Sequence, residues 1–319
     1  MNKRILHSFL MGCLGLFTFT SCNGALEYDR SLEPKPNSAV NKDTVNTEDT
    51  KSMSADLAAL ANGPTFKMLT CAHRGMTYKG IQDNIPENSV MAVKYAIAAG
   101  ADLLETDPRL TADGTIIVMH DASINRMTNG TGNVASLSYD NIRSHNLKVN
   151  GQVTEYKVPT LEEMLDAAKN KIYLCLDIKE PAILPKIIKI VEAKGMIDQV
   201  CYFHSATTTI DLLKKLNPKA IAFPWTGDAA SVKTIAKYYP SVKMVQFGFD
   251  DDTPAAVATA KAISDAKLVG YANHLLGPDE KFLAGDHTLI DKFIANKINI
   301  VQTDYCDKLD EYLKTKGVR

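Results

Sequence analysis

The chain holds one tryptophan, Trp225, and its six cysteines include no Cys-x-x-Cys pair, which excludes the spacing of a zinc ribbon. No Gly-x-Gly-x-x-Gly turn follows the first strand-like run, so a dinucleotide-binding reading has no support. Neither sign of charge is in excess. The formal net charge is −1 and the charges are mixed along the chain. No basic stripe points to nucleic acid, and no polybasic segment points to anionic lipid. The partner that fits this surface is a small molecule.

The N-terminal apolar run, from about Phe9 to Phe19, is shorter than the roughly 20 residues that a membrane-spanning helix needs. It follows Asn2, Lys3 and Arg4 and ends in Thr20, Ser21 and Cys22, the pattern of a signal peptide. The small-residue step before the cysteine resembles a bacterial lipoprotein signal, although Phe19 replaces the usual aliphatic residue. Residues 1–22 are therefore expected to be a signal, with lipidation at Cys22 and a plain secretory signal as the alternative. Lipidation would make the protein exported and membrane-anchored, in the periplasm or on the cell surface.

Residues 23–63 are rich in Asn, Asp, Thr, Ser, Lys and Pro, too polar to offset the entropy of ordering, and read as a flexible tether. Within it, Met53 to Ala61 has the length of a short helix. The remainder, 64–319, is roughly 255 residues, close to the typical size of a (β/α)8 domain. Beyond the signal, Cys71, Cys175, Cys201 and Cys306 are widely spaced. Three of them sit in apolar runs, where cysteine behaves as a small hydrophobe.

Short β-rich runs alternate with helical patterns, which predicts a parallel sheet with crossover helices. Eight strands are expected: Met68 to Ala72, Asp102 to Asp107, Ile172 to Ile178, Val200 to Phe203, Ala220 to Pro224, Met244 to Gly248, Leu268 to Ala272 and Ile298 to Gln302. Helices are expected over Ser89 to Ala99, Leu184 to Ala193, Thr208 to Leu216 and Ala255 to Ala266. Gly100 and Gly195 stand where a left-handed helix cap is wanted. The fold class is α/β, a (β/α)8 barrel whose site lies at the strand C-terminal ends, with a doubly wound open sheet as the alternative.

The strand ends carry the chemistry. His73, Arg74 and Gly75 close the first strand. Glu105 and Asp107 are two residues apart on the second and so project to one side. Two carboxylates facing a barrel interior repel each other unless a cation lies between them. Asp113-Gly114 signals a hairpin whose returning arm, Ile116 to His120, pairs Asp107 with about Met119. That brings His120 and Asp121 back beside the acidic pair, where one imidazole can serve as base and another as acid on a phosphodiester. Asp177 and Lys179 share a face at the end of the third strand, so Asp177 can complete a three-carboxylate site. An all-oxygen site suits Ca2+ or Mg2+, and Lys179 or Arg74 can grip phosphate oxygens. Glu180 reads as an ordinary surface residue. The stretch Ala122 to Val158 is expected as an excursion over the mouth, with Arg126, Asn129 and Asn133 as substrate contacts or plain turn residues. His204 reads as structural or pocket-lining, and Trp225 as a headgroup stack or a barrel cap.

Together, His73-Arg74-Gly75, Pro86-Glu87-Asn88, Gly100-Ala101-Asp102, Glu105-x-Asp107, Asp113-Gly114 and His120-Asp121 resemble the glycerophosphodiester phosphodiesterase family. Asp177 to Lys179 and Thr303-Asp304 add to the likeness. The resemblance implies a phosphatidylinositol-phosphodiesterase-like TIM barrel with His73 and His120 as the acid/base pair. It also implies one divalent cation on Glu105, Asp107 and Asp177, Ca2+ or Mg2+ ahead of Zn2+, with Arg74 and Lys179 on the phosphate and Glu87 supporting the site. The implied reaction is hydrolysis of a glycerophosphodiester to an alcohol and glycerol 3-phosphate. A barrel enzyme acting on phosphoinositol or lysophospholipid headgroups, or an idle phosphate-binding lipoprotein, are the alternatives.

Two departures stand out. Asp177 replaces the usual Glu and is one methylene shorter. The seventh strand, Gly270-Tyr271-Ala272-Asn273, lacks the family's frequent tryptophan, so Tyr271, taken as a substrate contact, or His274 is expected to shape the leaving-group pocket.

Overall fold

In a parallel sheet every crossover must be long enough to hold a helix, and this chain supplies one between most neighbouring strands. The structure is a computed structural model that describes residues 51–319. The expected signal peptide, the lipidation at Cys22 and most of the expected tether lie outside the described residues.

In chain order the strands are β1 (Leu69–Ala72), β2 (Leu103–Thr106), β3 (Pro108–Leu110), β4 (Ile116–Val118), β5 (Lys148–Val149), β6 (Gln152–Val153), β7 (Tyr173–Asp177), β8 (Val200–His204), β9 (Ile221–Pro224), β10 (Met244–Gln246), β11 (Val269–Asn273) and β12 (Ile300–Thr303). The helices are α1 (Met53–Asn62), α2 (Tyr78–Gln82), α3 (Val90–Ala98), α4 (Tyr139–Ser144), α5 (Leu161–Ala168), α6 (Leu184–Ala193), α7 (Thr208–Leu216), α8 (Ala229–Tyr238), α9 (Pro254–Asp265), α10 (Gly277–Leu283), α11 (Thr288–Ala295) and α12 (Cys306–Thr315).

Eight strands form one parallel sheet in the order β10-β11-β12-β1-β2-β7-β8-β9. A parallel bridge between Trp225 and Gln246 joins β9 to β10, so the sheet is a nearly closed barrel. All eight expected strands are present, with ends shifted by a residue or two. Several helices begin at side-chain caps: Ser89 accepts from Ala92 N, Thr160 and Glu163 form a reciprocal capping box, and Thr253 accepts from Ala256 N. Gly100 ends the α3 turn at a φ of 76°, as expected of a left-handed cap.

Two layers of apolar side chains hold the barrel. Outward-facing residues such as Leu104, Leu174, Leu176 and Val301 pack under the helices. Inward-facing residues, among them Leu103, Met244, Val269 and Ile300, fill the interior. Cys71, Cys175 and Cys201 belong to this interior layer, and all four cysteines of the described residues are buried and unbonded.

The segment 53–62, expected to belong to the tether, is helix α1, and it docks on the barrel. Met53 and Leu57, one turn apart, are buried in the interior layer beside Tyr173 and Leu103. Each such buried side chain contributes about 1.5–3 kcal/mol. The polar residues that suggest a tether are used in docking: Ser52 Oγ donates to Asp198 at 2.6 Å and Tyr173 donates to Asp56 at 2.6 Å. The ordered domain therefore begins before residue 64.

The excursion after β4 is a small unit with its own core. Ile117, Met119, Ile124, Met127, Val134, Ile142, Leu147 and Val158 are buried together.

Candidate active site

Strand register alone assembles much of the site. In the β1–β12 pairing Ala72 stands opposite Thr303, so the next residues, His73 and Asp304, come side by side. His73 Nδ1 lies 2.7 Å from Asp304 Oδ1. In the β1–β2 pairing Ala72 matches Leu104, which sets Glu105 across from His73, with His73 Nε2 3.9 Å from Glu105 Oε2. In the β2–β7 pairing Thr106 matches Leu176, which puts Asp107 opposite Asp177.

One oxygen from each of Glu105, Asp107 and Asp177 lies within 4.8 Å of the others, a group able to hold a metal ion. Burial pushes Glu105 well above the usual carboxylate range, and the neighbouring Asp107 and Asp177 push the same way. Burial would raise Asp107 too, but Lys179 and the Asn88 hydrogen bond outweigh it and hold this carboxyl below its ordinary value. Lys179 Nζ is 3.0 Å from Asp107 Oδ1 and also pairs with Asp177. Burial disfavours its charge, yet these two carboxylates raise its pKa. An all-oxygen cluster with one strained carboxyl is what a hard divalent cation would relieve.

The backbone around Arg74 is held in an uncommon shape. His73–Gly75 is a 3₁₀ turn in which Arg74 takes a φ of 53°. Gly75 follows at a φ of 76°, and a Cβ there would stand 2.8 Å from Ala92 Cβ, so α3 packs against this turn only if residue 75 is glycine. The Arg74 guanidinium donates to Glu87 Oε1 at 2.9 Å. Its Nε is buried 3.7 Å from Asp107 Oδ2, with no hydrogen-bond partner among the described residues. That leaves a buried donor at the pocket for an anionic ligand.

The Asp113-Gly114 hairpin is β3–β4, and Met119 N donates to Asp107 O at 2.9 Å, the pairing expected from the turn. His120 follows directly. Its Nδ1 is 2.9 Å from Asp121 Oδ1, and Arg126 bridges Asp121 and Glu87 at 2.8 Å to each. The Arg126 hydrogen bonds hold the Asp121 carboxyl well below the usual range.

His73, Arg74, Glu105, Asp107, His120, Asp177 and Lys179 line one pocket at the C-terminal mouth. Phe203, Phe223, Gln246, Asn273 and Leu275 line it too, on strands β8 to β11 or just after them. A family model for the glycerophosphoryl diester phosphodiesterase family matches residues 73–298. The chain belongs to this family. It is 32% identical over 191 residues to a glycerophosphodiester phosphodiesterase of Bacillus altitudinis, which covers 54% of this chain and 75% of that one. It is 31% identical over 161 residues to one from Caldanaerobacter subterraneus, covering 48% of this chain and 64% of the relative.

Family members of solved structure share the barrel. A glycerophosphoryl diester phosphodiesterase from Parabacteroides distasonis superposes with a TM-score of 0.73 at 21% identity, covering 84% of this chain and 93% of that one. An Oleispira antarctica phosphodiesterase in complex with the product sn-glycerol-3-phosphate gives 0.62 at 18% identity, covering 78% and 97%.

The other residues singled out by the sequence lie outside the charged cluster. Tyr271 is fully buried and lines the bottom of the pocket, and its hydroxyl donates to Gln302 and lies 3.2 Å from Cys71 Sγ. It shapes the floor, and its hydroxyl is not free for phosphate. His274, expected to shape the leaving-group pocket, is buried against Asp279. Arg126 is taken by Asp121 and Glu87, and the Asn129 side chain accepts from Asn146 N, as in a plain turn. His204 Nδ1 accepts from Ala206 N at 3.0 Å, a structural role. Glu180 is largely exposed, 3.6 Å from Arg109. Trp225 is partly exposed at the end of β9.

Two residues carried by family motifs gain roles that spacing did not assign. Asn88 donates to Asp107 Oδ2 at 2.8 Å and accepts from Thr106 Oγ1 at 2.6 Å, fixing that carboxylate. Asp304 orients His73. Asp304 is 231 positions from His73, so only the strand register reveals that pair, while Asn88 reaches Asp107 from the turn before α3.

Proposed function

We propose that this protein hydrolyses glycerophosphodiesters to an alcohol and glycerol 3-phosphate, with a divalent cation, Mg2+ or Ca2+, held by Glu105, Asp107 and Asp177. The observation that carries the proposal is the convergence of two carboxylate-oriented imidazoles, His73 and His120, on one pocket with three carboxylates. Family membership and the glycerol 3-phosphate product named for the Oleispira relative support it.

When bound, the cation would polarise the phosphoryl oxygen and balance the charge of the three carboxylates. Arg74, with its unmet Nε, and Lys179 would hold the remaining phosphate oxygens. Asp304 and Asp121 accept the Nδ1 protons of His73 and His120, so each ring turns Nε2 to the substrate. With one ring neutral at Nε2 and the other entering as imidazolium, the first takes a proton from water as the water oxygen bonds to phosphorus, the P–O bond to the alcohol breaks, and the imidazolium gives its Nε2 proton to the departing oxygen, leaving glycerol 3-phosphate.

The test is release of glycerol 3-phosphate from glycerophosphocholine and glycerophosphoinositol by protein supplied with Mg2+, Ca2+, Zn2+ or chelator. Chelator-sensitive release is expected. No release with any metal from folded protein would sink the proposal. We also propose export and lipid anchoring at Cys22, which fatty-acid labelling lost in Cys22→Ser would support.

A further inference from the structure

A buried carboxylate costs several kcal/mol unless its hydrogen bonds are met. Asp279, in the first turn of α10, is 2% exposed, lies outside the pocket, and meets three donors. Thr303 Oγ1 donates to its Oδ1, His274 Nδ1 lies 2.9 Å from the same oxygen, and Asp304 N donates to Oδ2 at 2.9 Å. His274 is itself 2% exposed and is flanked edge-on by Phe282 and Phe293, with ring centroids at 5.8 and 6.1 Å. The carboxylate thus grips the last residue of β12 and the residue that follows it, Asp304.

Asp304 is attached to the barrel at the point that decides the direction of its own side chain. With its backbone N–H tied to Asp279, its Oδ1 is held 2.7 Å from His73 Nδ1. A carboxylate accepts only, so the Nδ1 proton points at Asp304 and Nε2 faces the pocket.

We propose that Asp279, clamped by His274 and Thr303, is a positioning residue that acts through Asp304 to fix the tautomer and orientation of His73. The inference rests on His73 being one of the two catalytic imidazoles. Asp304 stands one shell behind the reacting imidazole and Asp279 one shell further, and losing an outer-shell partner of a metal ligand typically costs about 10- to 100-fold, which sets the scale here.

The experiment is a cycle of Asp279→Ala, Asp304→Ala and the double variant, assayed for glycerol 3-phosphate release from glycerophosphocholine. Asp279→Ala should lower kcat about 10- to 100-fold and move KM less than about threefold. The double variant should be no slower than Asp304→Ala alone, because a residue acting through another adds nothing once that other is gone. Asp279→Asn should recover most of the loss. Its amide can take the same partners if the Thr303 hydroxyl turns and His274 changes tautomer.

A kcat for Asp279→Ala within about twofold of the parent, or losses that multiply in the double variant, would overturn the inference. Should Asp279→Ala not fold, Thr303→Val in the same cycle with Asp304→Ala is read by the same criteria, with a smaller loss of roughly 3- to 10-fold expected. A 15N spectrum of the His73 ring separates this inference from the reaction itself. A single tautomer in the parent that becomes a mixture in Asp279→Ala or Thr303→Val supports the clamp whether or not the substrate turns over. An unchanged ring in both counts against it.

Discussion

The two walls of the mouth pocket are built from different materials. The wall formed by β1, β2, β7 and the turn after β4 carries Glu105, Asp107, Asp177, Arg74, Lys179 and both imidazoles. The wall from β8 to β11 offers Phe203, Phe223, Gln246, Asn273 and Leu275 and no charge. Gln246 Nε2 donates to Asn273 Oδ1 at 3.0 Å, and the Phe203 and Phe223 rings meet edge-on at 5.3 Å. The charged wall has the means to move protons and bind phosphate. With only shape and amides, the neutral wall would, in the proposed reaction, select the leaving alcohol rather than drive its departure.

The sharpest break between the walls is in turnover. Alanine at His73 or His120 should lower kcat by about 10²- to 10⁴-fold for every headgroup tested, with far-ultraviolet circular dichroism unchanged. A headgroup-dependent loss would mean that the charged wall also selects. Lys179→Met should cost less, roughly 10- to 100-fold, and the loss should appear with every substrate because it removes a phosphate contact.

The next comparison uses metal and pH. Glu105 has its folded pKa raised, so without metal its contribution to stability is present below its ordinary value of 4.5 and is lost as pH rises through the folded value. Added Mg2+ or Ca2+ should therefore raise Tm more at pH 8 than at pH 5. Each 1 kcal/mol of linkage should read as about 2–4 °C in a scanning melt. Equal shifts at both pH values would show that Glu105 does not face the cation.

On the neutral wall, Asn273→Ala or Phe203→Ala should change KM and the ranking of headgroups by about 10-fold while kcat for the best substrate moves little. A uniform fall in kcat would erase the distinction between the walls. The smallest effect belongs to Glu180→Ala, expected within about 0.5 kcal/mol of the parent in stability and unchanged in rate, since the side chain is exposed and faces Arg109.

The charged wall was far more legible than the neutral one. His73, Glu105, Asp107, His120 and Asp177 stand at strand ends or beside a hairpin turn, where period-two alternation and turn chemistry fix which side they face. Those are local rules, and the sequence states them locally. Tyr271 and His274 mark the limit. Both lie on or just after β11, yet one hydroxyl is spent on Gln302 and Cys71 and one ring on Asp279, partners that no spacing argument reaches. Helix α1 marks the same limit: its length as a short helix is legible, but its docking is not, since its polar residues look solvated until Asp198 and Tyr173 are brought against them.

By itself the sequence determined the alternation of strands and helices, the barrel, the family motifs and the residues that carry charge into the mouth. These follow from periodicity and turns a few residues long. The tertiary structure decided which carboxylate orients His73, what closes the barrel floor, and which wall stays neutral. Each of those depends on the register between strands up to 231 positions apart, as in the His73–Asp304 contact. Register is settled by packing of the whole barrel, a property that no short stretch of chain contains.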